Sequence, residues 1–345
     1  MMTTTSQQPR GAHLVGSVPL ADAEAVFRTA SGILGGHLRR IPDGETGVRT
    51  NWIGWQARVM ADNPALEPEP SADAYSALRR FRLRAGADPA ALAFGPLGYA
   101  AAAQASYATF ARLKGNGTIP ARCRFMVSLP TPLAPVSAFV ALEAQAAVEP
   151  PYERRLLAEL DEIGVAIPHD QLAVQWDVAV EFALLEGMRP APFADVRGRI
   201  VARLIRLGGR VPRDVELGYH LCYGDAGHQH FKQPEDTAKL VDVANAVSAG
   251  VDRPIQWIHL PVPRGRDDDA YFAPLRDLRL HPETERYLGL VHYTDGAEGT
   301  RRRVAAARRT LTDFGVATEC GMGRRPAETI PALLRIHAEV AAPVA

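Results

Sequence analysis

The sequence predicts an α/β fold built as a single (β/α)8 barrel. Short β-rich runs alternate with longer stretches of helical periodicity, which is the pattern of parallel β/α units. Eight such runs occur along the chain. Most of them end in a side chain capable of chemistry, and the carboxyl ends of barrel strands meet at one mouth. An open doubly wound sheet also binds ligands at strand ends, but it does not arrange eight ends around one point.

The predicted strands are short and spread over the whole chain. In order they are His13–Ser17, His37–Ile41, Arg124–Leu129, Leu172–Asp177, Val215–Cys222, Ile255–Leu260, Leu288–His292 and Val316–Cys320. Helical periodicity predicts helices between them. These include Ala138–Ala147, Pro151–Glu162, Pro234–Ala249, Thr300–Phe314 and Ala327–Val340.

The segment between the second and third strands is longer than one crossover helix requires. It runs from Gly54 to Gly117 and contains the proline-rich piece Asn63–Pro70. We expect a helical insertion over residues 54–117, with a helix at Ala72–Leu83. The barrel itself would occupy the whole chain, residues 1–345.

The composition excludes several classes of partner. The chain has 345 residues, 47% of them hydrophobic, which is ample for a buried core. Lysine plus arginine number 39, as do aspartate plus glutamate, so the formal charge is zero. Nucleic acid and anionic lipid surfaces reward a basic surplus, which this chain lacks. We therefore expect small-molecule partners, with no nucleic acid and no membrane.

The cysteines and the first residues predict a cytoplasmic protein. Cys123, Cys222 and Cys320 are odd in number and widely spaced, so they do not form a disulfide framework. Residues 1–13 are polar and lack the apolar core of a signal peptide. No run approaches the roughly 18 apolar residues of a membrane span. Reduced thiols are then open to metal binding or catalysis.

A His-x-Cys pair ends the fifth predicted strand. Because strand side chains alternate between faces, His220 and Cys222 point the same way and can share one metal ion. Cys320 ends the last strand and adds a second thiolate if the barrel closes, while His259 supplies a fourth ligand or a neighbouring base. Thiolate and imidazole together suit Zn²⁺, and three protein ligands with a replaceable fourth typify a catalytic site. The alternative is that all four are ordinary core residues.

The motifs around these residues resemble one enzyme family. Residues 218–223 read GYHLCY, residues 318–325 read TECGMGRR, and residues 14–19 read LVGSVP. Together they are similar to the zinc-binding barrel of cobalamin-independent methionine synthase, within the uroporphyrinogen decarboxylase and methionine synthase-like superfamily. The resemblance covers nearly the whole chain and is weaker in its first half. It implies a TIM barrel and a zinc-dependent methyltransferase.

The resemblance also implies a role for each matching residue. The family's glutamate ligand falls where this chain has His259, which implies a zinc site of two cysteines and two histidines. No residue clearly matches the glutamate that holds the substrate amino group, and Asp43 and Glu45 are the nearby candidates. The remaining implied roles are Ser17 for an amino-acid-like substrate, Asp177 for a substrate contact, His292 as a proton donor, and His220, Cys222 and Cys320 as zinc ligands.

Other residues near strand ends are further candidates. Trp176 and the other tryptophans either wall a flat ligand or pack in the core. His228 and His230 follow the His-x-Cys pair, and Arg324 follows the last cysteine. Each of these three either contacts substrate or is an ordinary surface residue.

The expected chemistry is thiol activation followed by alkyl transfer. A zinc-bound thiol is deprotonated yet nucleophilic, so it attacks a methyl group or a strained ring carbon. The leaving group then takes a proton from His292 or Asp177. We expect methyl transfer to a small thiol. The alternatives are thiol addition to an epoxide, as in epoxyalkane:coenzyme M transferases, and a lyase or binding barrel without catalytic zinc.

Overall fold

A computed structural model describes residues 8–69, 80–224 and 229–344. The strands β1 to β10 are, in order, Ala12–His13, Arg40–Pro42, Leu66–Pro68, Phe81–Leu83, Arg124–Pro130, Leu172–Val178, Glu216–Leu221, Trp257–Pro261, Glu285–Val291 and Gly315–Thr318. The helices α1 to α11 are Ala23–Leu34, Gln56–Ala61, Tyr99–Gly115, Leu133–Phe139, Leu142–Ala166, Val180–Leu185, Val196–Arg210, Ala238–Gly250, Asp269–Phe272, Gly296–Arg308 and Ile330–Val340.

Eight parallel strands form a nearly closed barrel. Their order is β1-β10-β9-β8-β7-β6-β5-β2, with Ala12 opposite Val316 at one end and Arg40 opposite Arg124 at the other. Across the seam, the backbone amide of Ala12 donates to the carbonyl of His37 at 2.9 Å. The (β/α)8 barrel is confirmed, and each of the eight predicted strands overlaps one barrel strand.

The barrel has an apolar interior cluster and a larger outer core beneath the helices. The interior cluster holds Val15, Met126, Ala173, Trp257, Tyr287 and Ala317. The outer core takes the alternate positions of the same strands, because neighbouring side chains in a strand face opposite ways. Amphipathic helices complete this outer core; α7, for example, buries Ile200, Leu204 and Leu207 along one face. No helix of the described residues is long and apolar enough to cross a bilayer.

The helix α5 joins two helices that the sequence separated. The prediction placed a break before Pro151, but α5 runs unbroken from Leu142 to Ala166 with Pro150 and Pro151 inside it. Proline lacks the amide proton that a helix interior uses. The buried face nevertheless continues from Val148 to Tyr152 across the prolines. Burial of this face offsets the missing hydrogen bonds.

The segment 54–117 contains a hairpin as well as helices. The strands β3 and β4 pair antiparallel, with Leu66 opposite Leu83, and α3 packs against α1, α5 and β5. The predicted helix at Ala72–Leu83 is wrong at its end, where Phe81–Leu83 form β4; its residues 72–79 lie outside the described ranges. Phe81 is buried and Arg82 is exposed, which is the alternation of a strand rather than the period of a helix.

Candidate metal and substrate site

A cavity of about 370 Å³ opens at the carboxyl ends of the barrel strands. This is the face at which β/α barrels carry their active sites. Its lining includes residues from five strand ends, and six of the predicted site residues are among them: Ser17, Glu45, Asp177, His220, Cys222 and Cys320.

Three of these side chains could hold a metal ion. The ligand atoms of His220, Cys222 and Cys320 all lie within 4.8 Å of one another, and the two sulfur atoms are 3.4 Å apart. Nε2 of His220 is buried and has no hydrogen-bond partner among the described residues. An imidazole with a free buried nitrogen beside two thiols fits zinc in both donor type and number.

Local backbone features bring Cys320 to the other two ligands. The pairing of β9 with β10 shifts register between Val316 and Thr318. Gly289 on β9 lies where a Cβ would approach the Glu319 backbone to 2.7 Å, so glycine allows the close approach of the two strands. The Ser17 hydroxyl then accepts a hydrogen bond from the Gly323 amide at 3.2 Å and holds the loop that follows Cys320.

His259 lies behind His220 and outside the group of three residues that could hold a metal ion. Its Nδ1 is 2.7 Å from Nδ1 of His220, and its Nε2 is 2.9 Å from the carbonyl oxygen of Thr318. It does not line the cavity. Burial lowers the pKa of His259 to about 4, so the ring is neutral at pH 7. Both ring nitrogens of His259 therefore have partners in this structure, and the expected direct ligation by His259 stays a prediction.

Glu45 and Asp177 form a pair of carboxyl groups in the cavity wall. Burial raises the pKa of Glu45 well above its ordinary value, and the nearby Asp177 raises it further. Burial likewise raises the pKa of Asp177, although hydrogen bonds from Gln175 and Trp52 oppose the shift. Burial and mutual repulsion therefore both favour the protonated form of Glu45, and burial favours that of Asp177.

Two wall residues of the cavity adopt backbone conformations that are rare outside glycine. Glu45 has φ of 48° and Trp52 has φ of 47°. Left-handed backbone at such residues costs roughly 1–3 kcal/mol and clusters at functional sites. Both residues interact with Asp177. The two residues with strained backbone therefore lie at the pair of carboxyl groups formed by Glu45 and Asp177.

Asp43 holds the loop beneath the cavity and does not line it. One carboxylate oxygen accepts from Arg49 at 2.6 Å and from the Ser106 hydroxyl at 2.7 Å. The other accepts from the backbone amide of Glu45 at 2.8 Å. The structure therefore uses the oxygens of Asp43 to fix the loop that presents Glu45, and it does not bring Asp43 into the cavity lining as the expected substrate contact.

His292 is committed to structural partners. Its Nδ1 lies 2.7 Å from Glu319 and its Nε2 lies 2.9 Å from the carbonyl oxygen of Val262. Burial would raise the pKa of Glu319, but His292 and then Arg325 lower it to about 2. His292 is not in the cavity lining, so the structure does not place the expected proton donor at the cavity.

Solved structures of methionine synthases share this fold. The chain is similar to a B12-independent methionine synthase from Shewanella sp. W3-18-1 in complex with selenomethionine, with a TM-score of 0.62, 14% identity and 96% of each chain covered. It is also similar to a putative vitamin-B12 independent methionine synthase from Listeria monocytogenes, with a TM-score of 0.58 and 12% identity, over 98% of this chain and 100% of that one.

The chain has the fold of these barrels. Identities of 14% and 12% show a common fold and no more. No protein-family model matches the chain. No curated protein matches its sequence.

Trp176 is a core residue and not part of the cavity. It is fully buried in the outer core, whereas its neighbour Asp177 lines the cavity. Alternation along β6 forces this division, so the expected substrate contact by Trp176 is corrected. Trp52 stands in the cavity wall instead.

Several cavity residues had no distinct signal in the sequence. Met188, Arg189 and Phe231 line the cavity from loops, and loop positions follow no periodicity that would reveal them. Arg324 also lines the cavity, and its contact with a substrate stays a prediction. His228 lies outside the described residues.

Proposed function

We propose that this protein is a zinc-dependent enzyme that transfers an alkyl group, above all methyl, to a small thiol. The observation that carries the proposal is the convergence of one imidazole and two cysteine thiols within 4.8 Å in a cavity that also holds two carboxyl groups. The shared fold with a methionine synthase in complex with selenomethionine supports it.

The candidate ligands are His220, Cys222 and Cys320. Zinc at such a site keeps a coordinated thiol deprotonated and nucleophilic at neutral pH. Three protein ligands leave one position for a small molecule. In this chain the backbone amide of Gly224 also donates to Cys222 at 3.2 Å, which stabilises negative charge on that sulfur.

The carboxyl pair gives the cavity its substrate preference. Glu45 and Asp177 offer acceptor oxygens to an ammonium group, which favours an amino-acid-like thiol. The same wall presents the apolar side chains of Val180, Met188 and Phe231, which suit the carbon chain of the thiol and a methyl group.

The carboxyl pair also provides a proton. We assign the proton that a leaving amine or alkoxide needs to Asp177, a carboxyl in the cavity lining whose pKa burial raises. An alkoxide arises when a thiol opens an epoxide. Thiol addition to an epoxide is therefore the second candidate function.

X-ray absorption at the zinc edge tests the proposal directly. Spectra would be recorded for the zinc-loaded protein alone, with L-homocysteine and with 2-mercaptoethanesulfonate. We expect two sulfur neighbours at rest and a third after addition of the accepted thiol. A subsequent assay with methyl donors and with epoxides separates the two candidate reactions. An unchanged sulfur count with every thiol would contradict both.

A further inference from the structure

The contact between His259 and His220 is built into the barrel sheet. The two residues are directly opposite each other in the pairing of β7 with β8, and both side chains are buried. Their Nδ1 atoms are 2.7 Å apart. The other nitrogen of His259 contacts Thr318 at the end of β10. The ring of His259 therefore links β7, which holds His220 and ends just before Cys222, to β10, which leads to Cys320.

The donors and acceptors in this chain of contacts follow from chemistry alone. The Thr318 carbonyl only accepts, so Nε2 of His259 carries a proton and donates. Only one proton fits between the two Nδ1 atoms. A neutral imidazole carries a proton on only one of its two nitrogens, so Nδ1 of His259 has none. His220 therefore donates from Nδ1, and His259 accepts.

The nitrogen at the end of this series of contacts is the atom that would bind a metal ion. Nε2 of His220 is the nitrogen without a hydrogen-bond partner among the residues described. With Nδ1 protonated, Nε2 has its lone pair available. The contacts thus leave His220 in the tautomer and ring orientation of a metal ligand.

We propose that His259 is a positioning residue that fixes His220 for metal binding. This inference rests on the metal site of the proposed function. His259 holds the His220 ring from behind and anchors it to the carbonyl of Thr318, two residues before Cys320. Since His259 does not occupy a coordination position, the fourth position stays open to the cavity and to a thiol.

Metal affinity measures this role without any activity assay. Replacing the outer partner of a metal-binding histidine typically weakens binding by roughly 10–100-fold. We expect His259→Leu to show a loss of that size for Zn²⁺ in competition with a chromogenic chelator. In His259→Gln the amide oxygen accepts from His220 and the amide nitrogen donates to Thr318, so most of the affinity should return.

The matched control is His337→Leu. His337 is also fully buried and also bonded to a backbone carbonyl, that of Leu333 in α11, but it belongs to an outer helix. Its loss should leave zinc affinity unchanged. Co²⁺ spectra provide the second readout, because thiolate-to-metal charge-transfer bands should persist in His259→Leu once metal is saturating.

The outcomes separate this inference from the proposed function. Equal zinc affinity in His259→Leu and the wild type would overturn the positioning role while leaving the metal site intact. Two imidazole ligands in the wild-type X-ray absorption spectrum would overturn it in favour of direct ligation. Absence of thiolate bands in wild-type Co²⁺ protein would overturn the metal site and this inference together.

Discussion

The indole nitrogen of Trp257 donates to the side-chain oxygen of Gln175 at 3.2 Å inside the barrel. An indole N–H only donates, so this bond decides which end of the Gln175 amide is the oxygen. The amide nitrogen consequently donates to the Val15 carbonyl at 2.5 Å and to Asp177 at 2.9 Å. Trp257 thus orients a cavity carboxyl that it does not contact.

Replacement of Gln175 should destabilise the barrel. Gln175→Leu leaves the Trp257 indole and the His13 ring nitrogen buried without the amide oxygen that both contact, at a cost of roughly 1–3 kcal/mol for each unpaired group. Urea unfolding measures the free energy. The exposed Gln104 of α3 gives the control, since Gln104→Leu should change stability by less than about 0.5 kcal/mol. Equal effects of the two changes would contradict the interior network.

Glycine at position 218 makes room for Trp257. A Cβ at Gly218 would lie 1.9 Å from the Trp257 ring, so Gly218→Ala should destabilise by roughly 1–3 kcal/mol through overpacking. Gly209 in α7 has open space around its Cβ position. Gly209→Ala should therefore stabilise the protein by about 0.5–1 kcal/mol. Thermal unfolding of both variants should show shifts of opposite sign.

Replacement of the Asp177 carboxyl by an amide should weaken binding of an amino-acid ligand without loss of zinc. A hydrogen bond to a charged group contributes about 1.5–3 kcal/mol, so Asp177→Asn should bind L-methionine roughly 10–100-fold more weakly by calorimetry. The neighbouring Trp176→Phe, which alters the outer core, should keep the affinity. Unchanged binding in Asp177→Asn would remove this carboxyl from the substrate site.

Stability should fall with rising pH because of Glu181. Burial raises the pKa of Glu181 from 4.5 to about 7. The folded state thus binds more protons than the unfolded state between these values, so the free energy of unfolding declines as pH rises through this range. Glu181→Gln should remove a decline of at most about 3 kcal/mol. Unfolding curves at several pH values measure it.

Replacement of Thr131, which contacts Glu181, should change the pH dependence of stability in the opposite direction. The Thr131 hydroxyl donates to Glu181 and lowers the pKa of this carboxyl. Thr131→Val should therefore enlarge the decline and extend it to higher pH. Parallel pH profiles for the wild type and Glu181→Gln would show that this group does not titrate in the expected range.

The barrel and three grouped ligand candidates follow from simple sequence rules. Alternation places His220 and Cys222 on one face, and barrel closure brings the end of the last strand toward them. The exact place of Cys320 also depends on the register shift between Val316 and Thr318, which the sequence does not show. The orientation of β6 does not follow in the same way. All seven of its residues are buried, so hydrophobicity alone does not show that Asp177 points inward and Trp176 outward.

The roles of His259, His292 and Asp43 depend on contacts that sequence patterns do not contain. Each of these polar residues stands at or near the end of a barrel strand, yet each side chain contacts a specific polar partner. For His259 the partner lies 39 residues away on the neighbouring strand. For His292 it is Glu319, which reaches it only through the β9–β10 pairing. Register decides these contacts, and register requires the folded chain.

The zinc content of cysteine variants tests the central claim most directly. Elemental analysis of the purified wild type should find roughly one zinc per chain. Cys222→Ser and Cys320→Ser should each lose most of it. Cys123→Ser should retain it, because Cys123 is buried elsewhere and donates to the Leu38 carbonyl. Full zinc retention in both Cys222→Ser and Cys320→Ser would contradict the proposed metal site.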